Sequence, residues 1–62
     1  MVKFTVSTGV VKKANQLIIN SNKLENVFYN IGKTFIMSVN DFVIAEELLD
    51  RNWINIKTVH LI

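Results

Sequence analysis

His60 is the only histidine in the sequence, and histidine is the side chain most often used as a general base. To act as a general base it would need a nucleophile or an orienting carboxylate held beside it, and no spacing in the sequence supplies one. It reads instead as a structural residue near a sheet edge. Glu46, Glu47 and Asp50 are the densest group of carboxylates. Glu46 and Glu47 are adjacent, so on a helix they point about 100° apart and cannot share one site. They read as a solvated helix face. Ser7, Ser21 and Ser38 lack the glycine frame of a nucleophile elbow. Gly9 and Gly32 are the only glycines, and no phosphate-cradling loop can be built from them. With no Cys and a single His, thiolate and multi-His zinc sites are excluded. No enzymatic activity, cofactor, metal ion or small-molecule substrate is expected.

The cations are equally sparse. Lys12-Lys13 is the only adjacent basic pair, and Lys3, Lys23, Lys33 and Arg51 are scattered. The net charge of +2 and the pI of 9.2 permit nucleic-acid binding without arguing for it. The aromatic residues Phe4, Phe28, Phe35, Phe42 and Trp53 fall mostly at core positions. Tyr29 lies off the apolar stripe of its expected helix and is expected to be exposed.

A chain of 62 residues makes one domain, 1–62. A domain of that size buries only about 60% of the surface its unfolded chain exposes, so its core is marginal. Disulfides and metal being excluded, association is the remaining support. Half the residues are hydrophobic and the mean hydropathy is +0.30, which argues against disorder. No apolar run reaches the ~18 residues of a membrane helix. Nor does the N-terminus read as a secretory signal, so a cytoplasmic protein without a membrane partner is expected. Abundant Asn, Ile and Lys, with no Pro, suggest an AT-rich gene of a low-GC bacterium or its phage.

The elements follow from periodicity. Val2, Phe4 and Val6 alternate with Lys3, Thr5 and Ser7, the period-two mark of a half-buried strand. Val10–Lys13 is expected to continue that strand past a bulge at Gly9, or to return as a hairpin arm. Leu17–Ile19 reads as a short buried strand. Leu24, Val27, Phe28 and Ile31 share one helical face, and Gly32 can stop a helix, which predicts a helix over 23–31. Residues 33–39 read as a strand. Ser38 with Asp41 then resembles a capping box opening a helix over about 41–51. The competing reading turns at Asn40-Asp41 and returns as a strand over 42–45. The helix formers of Ala45–Arg51, with no β-branched residue among them, favour the helix.

The final strand, 53–62, presents a difficulty. Its even face carries Ile54, Ile56, Thr58, His60 and Ile62; its odd face carries Trp53, Val59 and Leu61. One face can cover a core, and the other is too apolar to be simply solvated. Trp53, Val59 and Leu61 are therefore candidate partner-binding anchors, with Tyr29 a further candidate.

Ser7–Asn15, with the element order expected after it, resembles the opening strand of AbrB-type swapped-hairpin transcription factors. The likeness spans at most residues 7–47. Asn15-Gln16 stands where that family has a Gly-Arg turn, and Asn20–Asn22 where it has a Pro. The resemblance implies a dimer presenting basic side chains to DNA, with Lys3, Lys12 and Lys13 as the residues that would do so here.

The expected fold is α+β: a small, mainly antiparallel sheet of three to five strands with one or two helices packed on one face. The expected function is that of a non-enzymatic protein-binding module. It would be a small phage- or mobile-element-encoded adaptor or inhibitor of a host protein, acting through an apolar sheet edge or as a homodimer. The alternative is a dimeric AbrB-like DNA-binding regulator.

Overall fold

The computed structural model describes residues 1–25 and 27–62, with the backbone alone over 27–30. Strand β1 (Val2–Val6) leads through a 3-10 turn at Thr8–Val10 into helix α1 (Val11–Ile19). Strands β2 (Val27–Ile31) and β3 (Thr34–Met37) form a hairpin. Helix α2 (Val39–Leu48), a second 3-10 turn (Arg51–Trp53) and strand β4 (Ile54–Leu61) complete the chain. The sheet order is β2-β3-β1-β4, and all neighbours are antiparallel. Strands β1 and β2 are therefore parallel with β3 between them, and β3 and β4 are parallel with β1 between them. Each helix joins one such separated pair. The result is two interleaved split βαβ units, the ferredoxin-like arrangement of an α+β fold.

The alternation in β1 does what its period requires. Val2, Phe4 and Val6 are buried, while Lys3 is exposed on the opposite face. The core adds Phe35 and Met37 from β3, Ile54 from β4, Ala14 and Ile18 from α1, and Ala45 from α2 with Leu49 just beyond it. Phe4 and Phe35 are partners across the β1–β3 ladder, and their rings stack with centroids 5.4 Å apart. Phe42 of α2 closes on Phe4 from the other side, at 5.1 Å and tilted by 54°.

The start of α2 follows its expected cap. Ser38 Oγ accepts from the Asp41 N–H at 3.1 Å, and Asp41 stands in the first turn, where a carboxylate complements the helix dipole. Asp41 is itself buried, and its Oδ1 accepts from the Glu25 N–H at 3.3 Å. The cap thus also ties down the segment entering β2. The helix starts two residues before the expected 41 and ends three before 51.

Two expectations are corrected. Residues 11–19, read as a strand arm and a short strand, form one helix. The strand reading rested on the β-branched ends, Val10-Val11 and Ile18-Ile19. The interior Lys12-Lys13-Ala14-Asn15-Gln16-Leu17 is rich in helix formers, and Val11, Ala14 and Ile18 recur at helical spacing on the inner side. Conversely, the helix expected over 23–31 gives way to β2 from Val27. Val27-Phe28-Tyr29 is a β-favouring run. Gly32 does take a left-handed conformation, φ +57°, but as the first residue of a two-residue hairpin loop closed by the Ile31–Thr34 pair. No other described residue has positive φ, which makes the turn type II′.

Strand β4 resolves the difficulty of its two apolar faces. Val6 pairs with Ile54 and Thr5 with Asn55, but Lys3 pairs with His60 and Val2 with Leu61. Residues 56–59 therefore stand opposite Phe4 alone, three more than the ladder needs. An odd shift exchanges the parity that faces the core. Ile54 is inward before the bulge, and Val59 packs on the core after it. The Thr58 hydroxyl ties the bulge down. It donates to the Asn55 carbonyl at 2.7 Å and accepts from the Thr5 N–H at 3.0 Å. With its one proton so used, it also accepts from the Thr5 hydroxyl at 2.6 Å. Thr58→Val should lower stability by about 1–3 kcal/mol, because the Thr5 N–H loses its partner. Thr58→Ser should retain most of that, and urea denaturation of the two variants measures the difference.

Candidate functional site

The described surface offers two distinct sides. On the β4 side, β4 pairs only with β1, so its outer edge is open. A groove runs between that strand and α2, lined by Phe42, Glu46, Arg51, Ile54, Ile56 and Val59. Its floor is Ile54, 8% exposed, with half-buried Phe42 and Val59. Its lip is Ile56, which the bulge turns outward to 78% exposure. Beyond it Leu61 is 80% exposed, beside Ile62 and Met1, whose backbones bond (Ile62 N–H to the Met1 carbonyl, 2.8 Å). On α2, Val39 and Val43 are half exposed, one turn apart. The groove is apolar over much of its length, with Glu46 and Arg51 as the charges lining it.

The anchors expected from sequence separate here. Trp53 does not belong to the strand. It ends the 3-10 turn, half-buried against the core, and its carbonyl accepts from the Ser7 N–H at 2.6 Å. Val59 also packs on the core. Leu61 alone of the three is open. The three do not share a face, because the bulge lies between Trp53 and the later pair. Sequence reasoning missed Phe42 and Ile56 as surface formers: it assigned one to the core and the other to the core-covering face. No local signal announces a bulge in residues 55–59. Tyr29 pairs by its Cα with Ile36, but its side chain lies outside the described residues.

The cations are not gathered as the AbrB resemblance implied. Lys12 and Lys13 are exposed on α1, in the helix layer, while Lys3 projects from the other face of the sheet. Within one chain the three lysines thus stand on opposite sides of the sheet. The stretch carrying the likeness folds as a 3-10 turn and helix rather than as a strand. His60 is exposed across the ladder from Lys3. Among the described residues no three His, Cys, Asp or Glu side chains are placed to hold a metal ion, and no helix is long and apolar enough to cross a membrane.

Compared with protein-family models, curated proteins and solved structures, the chain matches none. The split βαβ arrangement hosts many unrelated activities, so function must be argued from the surface alone. The geometry separates core from surface at the C-terminus. Leu61→Asp should change stability by less than about 0.5 kcal/mol, as an exposed substitution does. Trp53→Ala should cost about 1–3 kcal/mol through lost packing. Thermal melts of the two variants, compared with the parent chain, read this out.

Proposed function

We propose that this protein is a non-enzymatic protein-binding module, a small adaptor or inhibitor of phage or mobile-element origin, that docks through its β4 side. The observation carrying this reading is the groove between α2 and β4, with Ile56 open at its lip and Leu61 exposed farther along the strand. Exposed apolar side chains scattered singly are ordinary, whereas a run of them bordering a groove marks an interaction surface. The ladder edge of β4 contributes less. Its bulge and Lys57 interrupt any continuous added strand, as such features do on protected edges. Docking of an apolar segment into the groove, with short backbone pairing near residues 60–62, is the mode the surface favours. Either a host protein or a second copy of the chain can supply that segment.

The double variant Ile56→Asp/Leu61→Asp should keep its circular dichroism spectrum and lose association. Against the parent chain, its complex with a captured partner, or its self-association by light scattering, should weaken at least about tenfold, roughly 1.4 kcal/mol. A parent chain that stays monomeric and captures nothing overturns the reading, as does a double variant that associates as tightly as the parent.

A further inference from the structure

We infer that the open face of the sheet binds single-stranded nucleic acid through its sugar-phosphate backbone. This surface meets the β4-side groove at Ile54 and Ile56, and the inference does not rest on that groove.

The argument begins with where the acids are. None of the four strands contains an Asp or Glu. The chain's five carboxylate side chains lie on α2 (Asp41, Glu46, Glu47), just after it (Asp50), and in the segment before β2 (Glu25). The face of the sheet turned away from the helices therefore carries cations without counter-charges of its own. Lys3 stands on β1 and Lys57 on β4, and Lys33 sits in the β2–β3 turn; all three are exposed. A net charge of only +2 hides this separation.

The second observation is what lies between the cations. At the end of the sheet where β1 exits, Lys33 and Lys57 border an open hollow together with Thr5, Ser7, Thr8 and Asn55. No carboxylate lines it; Asp50 stands behind the lining residue Asn52 and accepts from its N–H at 3.0 Å. Further along the face a second hollow is lined by Lys3, Ile31, Thr34 and Ile36. Thr5 and Thr34 are partners across the β1–β3 ladder, and they join the two hollows into one surface. Lysine, hydroxyl and amide groups are the side chains that contact phosphates. Ile31, 62% exposed, supplies apolar area for base faces at the β2 edge.

The shape selects the strandedness. Reading a duplex requires a helix or ribbon that enters a groove. This face is an open platform of four strands, about 14 Å across at strand spacing. A single strand laid over it brings phosphates to the lysines and bases to the isoleucines together.

The test is fluorescence anisotropy of a labelled oligothymidylate of about 15 nucleotides, titrated with the full chain. Binding should be measurable near 50 mM salt, and log K should fall with log salt at a slope of about −2 for three phosphates neutralised. The variant Lys3→Ala/Lys33→Ala/Lys57→Ala should bind at least about tenfold more weakly. The matched variant Lys12→Ala/Lys13→Ala/Lys23→Ala removes the same charge from the helix side and should stay within about twofold. Circular dichroism confirms that both variants fold. Absent binding at low salt, equal losses in the two variants, or a salt slope near zero overturns the inference. So does displacement by polyglutamate as readily as by unlabelled oligonucleotide, which would assign the face to an acidic protein surface.

Discussion

The fold is organised around Phe4. Its ring is fully buried, stacked on Phe35 of the neighbouring strand and met by Phe42 from α2. It thereby joins the two inner strands to the helix layer. Burying such a ring is worth about 2–3 kcal/mol, and each aromatic pair adds about 0.5–1.5 kcal/mol. A domain of this size rarely draws more than about 3–5 kcal/mol from its core, so one residue carries a large share.

Phe4 is also the residue opposite which β4 leaves register. The extra residues 56–59 let β4 change parity, so that Ile54 and then Val59 turn inward on either side of Phe4. A regular strand would have left one of them in water. The same bulge pushes Ile56 outward and interrupts the edge. The apolar surface on the β4 side is thus a consequence of how the core is covered. Among the described residues no element packs over it.

The legible parts of the sequence were those where a local pattern and a tertiary role agree. β1 alternates because one face is buried and the other open. Ser38 and Asp41 begin α2 because the unpaired N–H groups of a first turn need acceptors wherever the helix sits. Residues 11–19 misled because β-branched residues at both ends masked a helical interior. Residues 27–31 misled because their spacing also fits a helix, while their residue types favour a strand. Gly32 was recognised as needing positive φ, and its use in a hairpin depended on what preceded it. The candidate sites were less legible. Trp53, Val59 and Leu61 were grouped by counting along an unbroken strand. Lys3, Lys12 and Lys13 belong together only in the AbrB-like reading, and linear order says nothing about opposite faces of a sheet.

By itself the sequence determined the α+β class of the fold, the approximate position of its first and last strands and the cap of α2. These depend on residue types and on short-range periodicity, which a linear reading contains. Tertiary structure alone decided which strands became neighbours, and so which cations came to share the open face. It alone placed the three-residue register shift, and so which side chains of β4 remained in water. Both are matters of pairing between segments distant along the chain. The free energy that selects them is the burial of Phe4 together with its neighbours from β1, β3, β4 and both helices.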